Sequence, residues 1–292
     1  MIRTRRPAAG FTLIEAIIAI VITGIVAGIV AVFIARPVQG YADSVRRAEL
    51  TDTADVALRR MTRDIRLALP NSLRIRDTAT PGTCAAGTCY IEFIMTSAGG
   101  RYRDTADGST GGNILSFTGA TVSFDALGGV PANPAIAPGD FIVVYNLGPG
   151  YDPANAYGGG NMAQVHAAWG GANPVTLTAA TQTVFSSQSP PLPSPSARFQ
   201  VVPGNIRAVT FACPIAAGNL TRQWNYGFNA AQAAPPAGGT TAVMATGASC
   251  AVEYTANATG RNGLLNLQLT LADATSGESV TLFQQIHVDN AP

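Results

Sequence analysis

One carboxylate sits where carboxylates are costly. Between Phe11 and Ala35 the chain is apolar apart from Thr12 and Thr23, and Glu15 is the only ionisable side chain in that run. A lone acid in hydrocarbon costs several kcal/mol unless it is paired, so Glu15 is a functional feature whose partner has to be named. The other residue types that could do chemistry offer less. His166 and His287 are the only histidines, and His287 lies out of phase with Ile286 and Val288, which turns it away from the apolar face of its segment. There is no G-x-S-x-G, no phosphate-binding loop and no H-E-x-x-H. "DTADG" (104–108) has acidic spacing faintly like a calcium loop but lacks the remaining ligands, and "GPGYDP" (148–153) reads as a turn. The expectation is a non-enzyme, with no catalytic residue, no metal site and no cofactor.

The element that positions Glu15 is the apolar run itself. At about 1.5 Å per residue a helix over Phe11–Ala35 covers a hydrocarbon core of ~30 Å. Arg3, Arg5 and Arg6 stand directly before it, which places that end in the cytoplasm and the remaining chain outside. A cleaved secretory signal would have a shorter apolar core closed by a small-residue exit. Here the run ends at Arg36-Pro37, and the small residue, Gly10, comes before it. Cleavage after Gly10 would remove the arginines and leave the apolar segment as the new N-terminus.

The stretch "GFTLIEAIIAIVITGIVAG" resembles the leader and stem of type IV pilins and of type II secretion pseudopilins. The resemblance implies a leader, residues 1–10, cut between Gly10 and Phe11 by a prepilin peptidase that also methylates the new Phe11 amine. It also implies that Glu15 serves assembly. On physical grounds the best partner for its carboxylate is the positive Phe11 amine of a neighbouring subunit, a pairing that would set axial register in a dry filament core. The competing reading is a carboxylate that merely snorkels to the headgroups.

Beyond the membrane segment (11–35) a stem helix is expected over 36–70, giving one helix of about 58 residues. Pro37 predicts a kink or opening near 34–40. Val38, Tyr41, Val45, Ala48, Ala54, Leu58, Met61, Ile65 and Leu69 form an apolar stripe. Asp43–Arg47, Asp55–Arg59 and Arg60–Asp64 are opposite charges four apart. Leu69-Pro70-Asn71 predicts the stop. The arginine-rich back of this helix reads as a solvated face that could also meet neighbours in a filament.

From about residue 71 glycine, proline, serine and threonine separate short β-branched or aromatic runs. Strands are expected at 90–95, 113–119, 140–147, 197–202, 205–213, 250–254, 264–272 and 279–288. The last pair makes a hairpin in which Leu265, Leu267, Leu269 and Leu271 alternate with Asn266, Gln268 and Thr270. The fold class is α+β, pilin-like: a long N-terminal helix laid on an antiparallel sheet, with a β-rich exported domain over 71–292. Residues 148–196 read as a loop-rich insertion ending in an exposed polyproline-like connector, "QSPPLPSPS" (188–196).

All four cysteines lie beyond the membrane segment, as suits an oxidising compartment. Of the three possible pairings, Cys84–Cys89 with Cys213–Cys250 is favoured; zinc is disfavoured because no histidine lies near either pair. Residues 36–76 carry nine arginines against five acids, whereas 77–292 carry six against eleven. The exported domain is therefore acidic and nucleic acid is not an expected partner, although "RYR" (101–103) is a local basic spot.

The stem, with "GGRYR", "DFIVVYNLG" and "FQQIHVDNAP", further resembles minor pilins of mannose-sensitive haemagglutinin (MSHA) pili. That implies a bulky, low-copy subunit at or near a filament tip. Its partners would be the bacterial inner membrane, the prepilin peptidase and methyltransferase, and other pilins, major and minor, met through the N-terminal helix. A J-type minor pseudopilin of a type II secretion system is the alternative. A second is an adhesin on a pilin stem, with Tyr151, Tyr157, Trp169 and Trp224 furnishing a polar-aromatic site.

Overall fold

The computed structural model describes residues 10–106, 112–128, 134–256 and 262–292. Most of the expected leader, with its three arginines, and Asp107-Gly108 of the "DTADG" turn lie outside the described residues. The chain falls into two compact units, Met1–Glu49 and Leu50–Pro292.

Helix α1 runs from Leu13 to Arg66. It passes through Pro37 without interruption, so the opening expected near 34–40 is absent; proline already has a helical φ and removes one donor rather than the whole turn. In the first unit the apolar side chains are exposed, and they continue past the membrane segment through Val38, Tyr41 and Val45. Of the predicted stripe, Ala54, Leu58, Met61, Ile65 and Leu69 are buried within this chain, joined by Ala57 and, in part, by Leu50.

The helix stops at Arg66, short of the expected Pro70, because the next residues bond elsewhere. Leu67 and Ala68 close a tight last turn on Asp64 O and Ile65 O, then Leu69 N–H donates to Ile94 O and Leu67 O accepts from Thr96 N–H, both at 2.8 Å. Asp55 pairs with Arg59 at 2.7 Å as expected, and Asp43 lies 3.3 Å from Arg46. Asp64 departs from expectation. Instead of a surface pair with Arg60, it is buried and accepts from Arg222 Nε at 2.8 Å.

In the second unit the strands are, in chain order, β1 (Arg74–Arg76), β2 (Thr88–Ile94), β3 (Ala98–Tyr102), β4 (Ser123–Phe124), β5 (Ala126–Leu127), β6 (Phe141–Val144), β7 (Met162–Gln164), β8 (Val175–Thr176), β9 (Arg198–Val202), β10 (Ala208–Pro214), β11 (Gly218–Trp224), β12 (Thr240–Thr255), β13 (Asn262–Ala272) and β14 (Ser279–Asp289). An antiparallel sheet ordered β1-β2-β10-β11-β12-β13-β14 carries the main core. Ile91, Phe93, Val209, Phe211 and the four alternating leucines of β13 cluster with the buried stripe of α1. Burial of each such side chain is worth about 1.5–3 kcal/mol, which explains why this part of α1 is held.

β2 and β10 are hydrogen-bonded neighbours, yet residues 95–207 lie between them. The predicted insertion, 148–196, falls inside this larger excursion. The excursion forms a second sheet, β5-β3-β9-β6-β7, with a β4–β8 ribbon, around its own core of Phe124, Ile142, Trp169, Val175, Phe185 and Phe199. The strand expected at 113–119 is not formed. Ser116 Oγ draws in the amides of Thr118 and Gly119 and Thr121 Oγ1 takes that of Ser116, so the hydroxyls build a turn where a ladder was expected. The 188–196 segment is partly tied down: Gln188 and Ser194 are buried, and Ser194 N–H donates to Tyr102 Oη at 3.0 Å.

Cys84 is bridged to Cys89 and Cys213 to Cys250, with Cα atoms 5.0 and 5.8 Å apart. The first bridge closes a loop organised by Asp77. That carboxylate accepts the amides of Ala79 (2.8 Å), Thr80 (2.6 Å), Ala85 (3.1 Å) and Ala86 (3.2 Å). These backbone donors, Thr80 first, hold its pKa down from 3.8 to about 2. A depressed carboxylate stabilises the fold above its unfolded value and loses that contribution as pH falls through the folded one. Proteolytic nicking within residues 77–89 is thus expected to rise between pH 3.8 and about 2, and Asp77→Asn should show the nicked pattern already at neutral pH.

Candidate functional site

Gly10, Phe11 and Glu15, the residues expected to serve processing and assembly, stand at or just before the start of α1. Thr12 is the N-cap. Its Oγ1 accepts the amide of Glu15 at 3.3 Å, its carbonyl accepts Ala16 N–H at 3.1 Å, and its hydroxyl lies 3.4 Å from Glu15 Oε2. This is the T-x-x-E capping arrangement, with an acid in the first turn where the helix dipole favours negative charge. The sequence reading weighed pairing and snorkelling for Glu15 and passed over this third role; the signal was the threonine three residues before the glutamate. Within one chain Glu15 is therefore an exposed, partly satisfied helix cap.

Gly10 tells the opposite story. Among the described residues a Cβ built there meets nothing within 4 Å. Phe11 is likewise exposed, as are Leu13, Ile14, Ile17 and Ile18 beyond it. Apolar side chains in every direction, uncovered by the chain's own fold, mark a helix made for lipid or for other helices. The helix is long and apolar enough to cross a membrane.

Residues 5–31 match the family model of the prokaryotic N-terminal methylation motif. The chain carries an N-terminal methylation motif. The match supports a type IV pilin-like or pseudopilin protein, implies processing by prepilin peptidase and assembly with other pilins, and fits anchoring by the apolar helix. No curated protein and no solved structure matches the chain.

The aromatic residues considered for a ligand site are not gathered into one. Tyr157 is buried, its hydroxyl donating to Ser72 O at 2.9 Å and its ring lying 3.6 Å beneath the Arg74 guanidinium. Trp169 is buried in the core of the excursion. Trp224 packs against Arg222, at 4.7 Å, and Tyr151 alone is well exposed. His287 points outward from β14, as expected, and His166 is exposed. Among the described residues no cluster of three metal-ligating side chains occurs.

A buried polar network ties the excursion to the main sheet. Arg74 donates from Nε to Glu92 at 2.7 Å and from its terminal nitrogens to Ala230 O and Asn229 O. Tyr226 Oη donates to Glu92 at 2.9 Å and meets Thr210 Oγ1. Burial raises the Glu92 carboxyl above its usual range in spite of Arg74, and drives the Tyr157 and Tyr226 phenols well above theirs. Asn146 completes the joint, donating to Pro70 O at 2.7 Å and accepting Ala156 N–H at 2.9 Å. These groups are matched and inward-facing, and their arrangement serves to hold strands together.

Proposed function

We propose that the chain is a minor pilin, a non-enzymatic structural subunit of a type IV pilus of the MSHA type. The observation that carries this reading is the methylation motif set on the capped start of an apolar helix that its own fold leaves uncovered. The chain enters the inner membrane by that helix with the disulfide-bridged domain on the periplasmic side. It is cut between Gly10 and Phe11, methylated at Phe11, and packed against other pilins through Phe11–Ala35. In the filament Glu15 exchanges its Thr12 contact for the methylated amine of a neighbouring Phe11, a charge pair that dry packing strengthens. The bulk of the exported domain, with a second sheet inserted into the first, suits a low-copy position at or near the tip better than a repeating shaft.

The N-terminal mass of the protein recovered from membranes tests the reading, beside a Glu15→Ala variant scored for surface filaments. A chain beginning at methylated Phe11, with filaments lost in the variant, is expected. A chain still beginning at Met1, or filaments that assemble normally without Glu15, overturns it. A J-type pseudopilin shares the leader and the cut, and is separated by whether deletion of the gene abolishes filaments or protein secretion.

A further inference from the structure

The two outer edges of the main sheet are treated differently. β1 is three residues long, and its arginines bond the carbonyls of the 229–232 segment, which covers that edge. The second sheet ends in strands as short, Ala126–Leu127 and Met162–Gln164. β14 at the opposite edge is 11 residues long and pairs with β13 over its whole length without a register shift. Among the described residues no backbone group on its outer side has a partner strand. Long edges are normally blunted by lysine, proline, a bulge or an inward charge, because an open ladder recruits other strands. "SVTLFQQIHVD" has none of these; its one charge is the terminal Asp289, and Phe283 stands three-quarters exposed on the outer face.

Beside this edge lies a groove of about 400 Å³ between α1 and β14, lined by Arg59, Thr62, Arg63, Arg66, Leu67 and Gln284. Among the described residues Arg59 pairs with Asp55 at the surface, an exchangeable pair worth little, and Arg63 stands 3.7 Å from an Asp64 already committed to Arg222. Thr62 Oγ1 is buried there without a hydrogen-bond partner, and Leu67 is nearly half exposed. The side chains of a strand added to β14 alternate between the outer face, beside Phe283, and this groove.

We propose that β14 and the basic groove beside it take up an extended acidic segment of a partner protein as an eighth strand of the main sheet. Main-chain hydrogen bonds along β14 give the affinity, and carboxylates on alternate residues meet Arg59, Arg63 and Arg66. The charge chooses this occupant over a second copy, because pairing β14 with itself brings two sets of the same arginines to one seam. The surface stands independently of how the N-terminal helix is used.

The test uses the full-length chain in detergent and a nine-residue capped peptide of alternating glutamate and valine, followed by fluorescence anisotropy. The peptide is expected to bind, and its lysine-for-glutamate counterpart at least tenfold more weakly. Methylating one alternate set of peptide amides abolishes binding while methylating the other set leaves it, since only one edge of an added strand faces β14. The double variant Arg63→Glu/Arg66→Glu, exposed at both positions, loses the acidic peptide and gains the basic one, while a cooperative unfolding transition, at a midpoint lowered by acids in the last turn of α1, shows that it folds. No binding at millimolar peptide, equal binding of both charges, or equal effects of the two methylation sets overturns the proposal. So does adsorption to phosphatidylglycerol vesicles that depends on Arg63 and Arg66 while the peptides are ignored, which would make the groove a lipid contact.

Discussion

Asp64→Ala is expected to lower the free energy of unfolding by about 3–5 kcal/mol, the cost of leaving the other half of a buried ion pair uncompensated. The aspartate and Arg222 are each less than a tenth exposed, and their 2.8 Å bond joins the last turn of α1 to β11. Without Asp64 the largely buried guanidinium loses its carboxylate and keeps the face of Trp224. The pair is not thereby a large net source of stability, because both charges were desolvated to form it. Asp64→Leu combined with Arg222→Met should recover most of the loss, since matched apolar residues avoid that cost. Denaturant midpoints of the three variants, read with the slope held against wild type, decide between these outcomes.

Glu92→Ala ranks beside it, at about 3 kcal/mol or more, since it strips Arg74 and the Tyr226 hydroxyl of their shared acceptor at once. Glu92→Gln keeps one acceptor oxygen and should cost clearly less. The two also differ in pH response. Burial lifts the Glu92 carboxyl above the ordinary 4.5, so the native state binds that proton more tightly than the unfolded chain does. Stability contributed there is present below pH 4.5 and declines as pH rises through the raised value. A series of unfolding curves across that window should slope downward for wild type and lie flatter for Glu92→Gln. Asp77 works in the reverse sense at lower pH, so the two groups are distinguishable by where the slope changes sign.

What was legible in the sequence follows the physics of each signal. The β13–β14 hairpin could be read because one face is buried and one is wet, and four leucines at period two leave no alternative register. The N-terminal methylation motif could be read because an acid, a glycine and an apolar run are jointly improbable. β11 was missed because one of its two buried positions is an arginine, and Arg222 looks like surface until Asp64 is placed opposite it. The end of α1 was misplaced for a related reason: Leu67, Ala68 and Leu69 continue the helical pattern, but their backbone groups have better partners on β2, which only the fold supplies. At 113–119 the apolar letters favoured a strand while Ser116 and Thr121 decided for a turn. Of the excursion only 148–196 was legible as an insertion, and its extent to 95–207 was not, because most of its strands are short and its core is assembled largely from loops, so periodicity has little to act on. At the candidate site, Gly10, Phe11 and Glu15 stood out as a pattern, whereas the capping role of Thr12, signalled by its spacing from Glu15, was overshadowed by the apolar run.

The placement of that excursion between paired strands has a consequence for how the molecule comes to exist. β2 cannot find β10 until the intervening residues have emerged, and an open chain of that length carries a closure cost and a high contact order, both of which slow folding. The excursion carries its own remedy, because its two ends run side by side: Ala98 pairs with Val201, and Met95 N–H donates to Arg207 O at 3.0 Å. Once its own core has condensed, the ends arrive already juxtaposed, and β2 and β10 close as if joined by a short hairpin. The second unit would therefore assemble from the inside of its sequence outward, the excursion condensing before the sheet that flanks it closes.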